Sequence, residues 1–584
     1  MRPSASMPGS TSRSPIELIQ ALLTGKSDKF DSRTLFWFAL SLLFSIGFAS
    51  LALRQAFSSR YVLQDDARHH IFWMARFTDP DLFPHDLIAD YFRSVAPDGY
   101  TLLYRGAAGV GIDPFLFSKL LPMLLGLITT GFCFGVSMRL LRVPAAAFIS
   151  SLVLNQSLWM RNGLVSATPR AFICPLFLAF LYFVLRGSML STAIVVALMG
   201  LFFPPILFIG LGVLFLRLLR LDKGRVGFSR ERRDYTLCAT ALAIAVAVML
   251  PYAFKTSGFG PVVTAAEAKE MPEFLPGGRM VVFRQGFWAY WFTASHTGMF
   301  SSGVFYPALM SLGLLLPILL VLKKRFPLLE QLSRDAALFP RVIAASLFMF
   351  LAANALLFRL YLPSRFTVNS FRIVLAVSAG ISAVVMLDAV FRVAKQRALV
   401  ILTPAAVLAA ALVLPFVKGP IVDTRYKTGE NPRLYEFLAG QPKDSLVASL
   451  SADGENLPIF ARRSILVGRE IALPFHKRYY SQIRQRMSDL VSAQYSPDPA
   501  ELQTFVQKYG VTHLLLDRNA FTPEYVSHEK WITRFQPATR EKLEAGLRPA
   551  LSIYMDDCKA LETKRLVLVS TDCIRRALVS PQAR

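Results

Sequence analysis

Charge is scarce in this chain. Asp, Glu, Lys and Arg make up 18% of its 584 residues, against 54% hydrophobic ones, and the mean hydropathy is +0.44. That balance excludes an ordinary soluble globular protein, in which about a quarter of residues are charged. Acids are scarcer than bases: 39 Asp and Glu face 64 Lys and Arg, for a formal net charge of +25. No basic and aromatic binding module accompanies that excess, so nucleic acid is excluded as a partner. Cysteine is sparse too. The five cysteines fit no metal-ligand spacing, and no metal site is assigned from them. Cys133, Cys174 and Cys238 lie in or beside apolar runs as small fillers, whereas an oxidising compartment would allow Cys558 and Cys573 to pair. Also lacking is a cleavable leader: residues 1–33 are polar, and the first apolar run is expected to serve as an uncleaved anchor.

What is present is a succession of apolar runs. Eleven read as membrane spans, at 34–57, 115–140, 143–160, 171–186, 189–203, 205–220, 236–254, 303–322, 341–361, 371–391 and 398–417. The fifth and sixth meet at Pro204-Pro205, which a helix does not cross cleanly, so two thin crossings and one broken element both stay open. Lys and Arg cluster between spans, at Arg217 to Arg233, at Lys323-Lys324-Arg325, and at Arg392, Lys395 and Arg397. With a cytosolic N-terminus all three clusters fall inside, as the positive-inside rule requires. The outside segments are then 58–114, 161–170, 255–302, 362–370 and the tail from 418. Short β-rich runs at 446–450, 464–467, 511–516 and 566–569, with polar helices around 477–493 and 499–509, suggest a small α/β unit in the tail. The expected fold is an α-helical polytopic membrane protein of about eleven spans: a cytosolic segment 1–33, a membrane domain 34–417 and an extracytosolic α/β domain 418–584. A bacterial inner membrane, with the tail in the periplasm, suits the short loops.

The first outside loop opens with Gln64-Asp65-Asp66-Ala67-Arg68-His69-His70. If Asp65 starts a helix, Asp65/His69 and Asp66/His70 are i,i+4 pairs, and Arg68 crowds the same turn. Two acids at a helix start are also what capping and the helix dipole favour. Chemically, a carboxylate can act as a general base and an arginine can hold a phosphate leaving group. A divalent cation on Asp66 and His70 is allowed by the spacing, on two ligands only. The residues alone leave these readings open.

Asp65-Asp66-Ala67-Arg68, one span in from a cytosolic N-terminus, resembles the Asp-Glu-Ala-Arg sequence of the lipid A aminoarabinose transferases. Those enzymes belong to the GT-C superfamily of membrane glycosyltransferases, with the protein mannosyltransferases and oligosaccharyltransferases. The resemblance implies inverting transfer of a sugar from a polyprenyl-phosphate donor to a lipid, glycan or protein acceptor beside the membrane lipids. It makes Asp65 the base, puts Asp66 where the family often has Glu, and makes Arg68 a phosphate ligand. The shorter second acid is a departure from the family's pattern.

Further candidates for the lipid phosphate are His69, His70, Arg170 in Ser166-Ala-Thr-Pro-Arg170, and Arg365 and Arg372 in a polar turn between two span ends. Arginine at a span end also snorkels without further function. Gly277-Gly278 and Trp288-Ala-Tyr-Trp291 would suit a lid or an interfacial belt, His296 reads as a polar loop residue, and Glu470 and His476 as surface or packing residues before acceptor contacts. Rival functions are a lipid or glycan transporter, which would want ionisable residues midway along spans, and a non-catalytic envelope assembly factor.

Overall fold

The computed structural model describes residues 15–27, 31–222, 225–254, 258–301, 303–393 and 422–579, with 406, 409 and 410. All but those three residues of the expected span 398–417 lie outside the described residues, as do residues 1–14, Lys223, Lys395 and Arg397.

Among the described residues, six helices are long and apolar enough to cross a membrane: Ser32–Ala56, Pro114–Leu140, Pro169–Arg186, Arg232–Tyr252, Arg334–Ala355 and Pro363–Val393. Their ends follow local chemistry. Asp31 accepts from the Thr34 amide at 2.8 Å, and Asp113 caps the next span just ahead of Pro114. Gly187, at φ 71°, closes Ile173–Arg186 in the left-handed conformation. The expected spans 143–160, 189–203, 205–220 and 303–322 fall on the shorter helices Pro144–Trp159, Met189–Phe202, Pro204–Arg217 and Ala308–Val321. At Pro204-Pro205 the chain makes two helices that fold back on each other, with Gly200 beside Leu207 and Gly210 beside Met199.

Pro144–Trp159 is buried along its whole length and forms the axis of the bundle. Val368–Val393 lies against it, and a Cβ on Gly380 would run into Ser150 and the Ala146 carbonyl, so only glycine permits that approach. The basic stretches gather at one end. There Arg217 pairs with Asp234 at 2.8 Å, Ser27 bonds to the Arg142 carbonyl and Ser333 to the Leu140 carbonyl.

The other end carries the loops and the tail. Val62–Gln64 pairs antiparallel with Tyr426–Thr428, Leu63 opposite Lys427, which clamps the chain just before the paired acids. Beyond it lies a five-stranded sheet in the order Ser464–Ile465, Leu446–Ser449, His513–Asp517, Leu566–Ser570, Lys559–Glu562. The first two neighbouring pairs are parallel and the last two antiparallel. Alternation decides its two faces. Leu514, Leu516, Val567 and Val569 join the tail's own helices, whereas Leu515, Leu566 and Leu568 belong to the apolar core continuous with the bundle. The four β-rich runs of the sequence fall on four of these strands, and the helices Lys477–Tyr495 and Pro499–Tyr509 lie where the polar stretches are. Cys558 and Cys573 form a disulfide, while Cys133 and Cys174 are buried thiols.

Candidate functional site

Asp65 does start a helix. Asp65–Ile71 follows the clamp directly, and the Gln64 side chain caps it by accepting from the Ala67 amide at 3.0 Å. Seven residues make two turns, so the helix has two distinct faces, and they do different things.

One face presents Asp66 and His70. Arg170 Nη2 donates to Asp66 Oδ2 at 2.6 Å, and His70 Nδ1 lies 2.8 Å from the Asp66 carbonyl. Arg170 comes from the Pro169–Phe172 turn that opens a span, held by Tyr104, whose hydroxyl donates to the Ala167 carbonyl. Arg365 comes from the analogous Pro363–Phe366 turn of another span and lies within electrostatic reach of Asp66 and Arg170. That turn is docked on the loop before it: the Ser364 amide bonds to the His296 carbonyl and its hydroxyl to the Ser295 carbonyl. Buried Arg365 Nε and His296 Nδ1 have no hydrogen-bond partner among the described residues. Burial pushes the Asp66 carboxyl up, but Arg170, then His70 and Arg365, outweigh it and hold it below the usual range. Burial likewise depresses His70, and burial with Arg365, Arg170 and Arg279 lowers His296 to about 4. The face therefore holds an ionised acid, neutral imidazoles and two arginines.

Beside it opens a cavity of about 490 Å³. His70, Arg170, Arg359, Tyr361 and His476 supply its polar edge, and its apolar wall runs to Phe203, Pro204, Pro205 and Met249 at the helix break. Tyr91 lies on that wall, stacked on Tyr479 with ring centroids 3.6 Å apart and its hydroxyl 3.1 Å from His476 Nδ1. An apolar channel between helices with cations at its mouth suits an amphiphile with an anionic head.

The opposite face presents Asp65, Arg68 and His69 to the tail. Arg68 donates to Asp65 Oδ1 at 2.6 Å and to Asn456 Oδ1, and Glu455 stands beside it, its carboxyl raised chiefly by burial. His69 is buried, its Nε2 unpartnered among the described residues, and burial first, then Arg68, His70 and Arg279, keeps it neutral. Arg279, from the second long loop, closes the seam on Glu470 at 2.7 Å.

Of the candidates read from the sequence, the structure brings together Asp66, His70, Arg170 and Arg365, and sets Asp65, Arg68 and His69 apart from them. Arg372 is in neither group. It is buried two turns further along, donating to Asn369 Oδ1 at 3.3 Å, with Cys174 and Arg161 as neighbours. No motif in the sequence points to Arg359, Glu455 or Asn456, and Tyr361 only opens the polar turn of Arg365. Positive φ at both Phe358 and Tyr361, 69° in each, marks that loop as special, and no sequence signal carries it. Among the described residues no three His, Cys, Asp or Glu cluster closely enough to hold a metal ion.

No protein-family model matches the chain, and no curated protein is similar to it in sequence. Solved structures do match. The oligosaccharyltransferase of Archaeoglobus fulgidus in its apo form superposes with a TM-score of 0.55 at 12% identity, over 88% of this chain and 73% of its own. The same enzyme, AglB, in complex with an inhibitory peptide and a dolichol-phosphate gives 0.54 at 12% identity, over 87% and 72%. ArnT from Cupriavidus metallidurans bound to undecaprenyl phosphate superposes at 0.46 with 13% identity over 91% and 98%, too loosely to argue from. The chain shares its fold with this archaeal oligosaccharyltransferase.

Proposed function

We propose that this protein is an inverting glycosyltransferase that moves a sugar from a polyprenyl-phosphate donor to an extracytosolic acceptor. The observation that carries the reading is the Asp66–Arg170 pair, whose arginine lines the apolar cavity, with Arg365 and His296 within electrostatic reach of Arg170. The lipid tail would lie along the wall toward Pro204-Pro205, its phosphate between Arg170 and Arg365. Arg359 and Tyr361 would complete that rim. The acceptor hydroxyl oxygen attacks the anomeric carbon from the side away from the phosphate. Its proton passes to the carboxylate of Asp66, the acid whose arginine partner lines the cavity. The bond from the anomeric carbon to the phosphate oxygen breaks with its electrons going to the phosphate, where the arginines stabilise the charge. Asp65 holds Arg68 and thereby the helix. A fold shared with an oligosaccharyltransferase solved with a dolichol-phosphate supports a lipid-phosphate donor.

An extracytosolic placement of the site and tail draws support from the basic clusters at the opposite end and from the Cys558–Cys573 disulfide. The test is incubation of purified protein with a panel of polyprenyl-phosphate sugars, scored for released lipid phosphate. Release that depends on Asp66 is the expected result. No release from any member of the panel, by protein shown to be folded, would refute the reading.

A further inference from the structure

A second cavity, of about 210 Å³, lies on the other side of the Val62–Gln64 strand and shares no lining residue with the first. It sits between the last turn of Ser32–Ala56 and the first turns of Pro114–Leu140, where two apolar helices reach the same end of the bundle. Its charged lining is cationic, Arg60, Lys119 and Arg462, beside Tyr61, whose hydroxyl donates to Glu436 at 3.2 Å. Lys119 Nζ donates to the Ala56 carbonyl at 2.8 Å and lies over the Phe57 ring, 5.1 Å from its centre. Arg462 pairs with Asp113 at 2.8 Å and covers Phe115 at 5.4 Å. Among the described residues Arg60 has only the Tyr61 ring, at 5.7 Å. One acid thus answers three cations among the described residues.

A lysine inside an apolar helix is costly unless its charge is met. Here the partial negative charge of a helix C-terminus meets it in part, and the ammonium also borders the cavity. Below the cavity the surface is apolar. Leu116, Leu120, Leu124 and Ile128, spaced four residues apart, form an exposed stripe down Pro114–Leu140. Positive charge at the end of a lipid-facing stripe is the arrangement that fits a phosphate head with acyl chains beneath it.

We propose that this cavity binds the phosphate of an anionic membrane lipid, at a site separate from the catalytic one. The two cations without an acid, Arg60 and Lys119, contact the phosphate, Arg462 borders it, and the chains follow the leucine stripe. The inference does not depend on the glycosyltransferase reading.

The test is native mass spectrometry of the purified full-length chain with added phosphatidylglycerol, with phosphatidylcholine as control and inorganic phosphate as competitor. Wild-type protein should retain phosphatidylglycerol in preference to phosphatidylcholine. Arg60→Gln with Lys119→Gln should weaken retention roughly 25-fold, taking about five-fold for each cation near an anionic headgroup. Arg60→Gln alone, on an exposed side chain, should give roughly five-fold and keeps the proposal testable if the double variant does not fold. Equal retention by variant and wild type, or of the two lipids, would overturn the proposal. Displacement by low-millimolar inorganic phosphate would overturn the lipid assignment and leave a free-phosphate site.

Discussion

The two faces of the Asp65–Ile71 helix are built from nearly the same residues and behave oppositely. Each has an acid, a histidine and an arginine. On one, Asp66 meets an arginine from a distant span that also lines a cavity. On the other, Asp65 meets the arginine of its own turn, which is tied in turn to the tail through Asn456. Local pairing closes a site, whereas long-range pairing at a cavity mouth leaves one open. The first suits holding a helix in place and the second suits gripping a ligand.

Swapping charge for amide at each acid is the strongest way to break that comparison. Asp66→Asn should lower the turnover number roughly 100- to 10,000-fold while the melting temperature stays near wild type. Asp65→Asn should retain most of the rate and lose about 1–2 kcal/mol of stability, since buried Arg68 keeps Asn456 but loses its charge partner. Transfer assays and thermal melts on both variants decide it. The reverse pattern, a folded but inactive Asp65→Asn, would exchange the roles of the faces.

Two smaller changes sharpen the contrast. Asn456→Ala leaves an Arg68 donor unmet in the buried seam and should cost about 1–3 kcal/mol in denaturant or thermal unfolding. Val95→Trp narrows the cavity from a partly exposed position on its rim. It should raise KM for the lipid donor roughly ten-fold with kcat nearly unchanged, the signature of lost uniform binding. An unchanged KM would mean that the lipid does not use this channel.

Much of this architecture is legible in the sequence because apolar length and period are local properties. Ser32–Ala56 and Pro114–Leu140 coincide with expected spans to within two residues, and Leu514 and Leu515 alternate as a strand must. Pro204-Pro205 announces a break because proline lacks the amide hydrogen. The site is legible only in part. Asp66 and His70 share a face through i,i+4 spacing, and Arg170 and Arg365 stand out as arginines after proline at span ends. Which acid meets which arginine depends on contacts 104 residues apart in one case and three in the other, and spacing carries no information about the former. Asn456 escapes for the same reason, lying 388 residues from Arg68. The strand Tyr426–Thr428 is too short to announce itself, yet it positions the acids.

The finest effect concerns His296, which faces Arg365, Arg170 and Arg279. Its ordinary pKa of 6.5 is lowered to about 4 in the folded chain, so the unfolded chain takes up a proton first as pH falls. Stability contributed by the neutral ring is complete above about 6.5, declines from there to about 4, and is gone below. His296→Gln should therefore give a shallower fall of melting temperature across that interval. Some slope should remain, because burial depresses His69 and His70 in the same direction. A lipid phosphate between Arg170 and Arg365 would offset the positive field that helps to keep the ring neutral. Wild-type protein with undecaprenyl phosphate should then melt with a flatter pH profile, like the variant, whereas the variant should respond to the lipid with a uniform rise in melting temperature. If the lipid raises the wild-type melting temperature equally at every pH, the phosphate binds out of reach of His296, and the open face of the helix is not where the donor head sits.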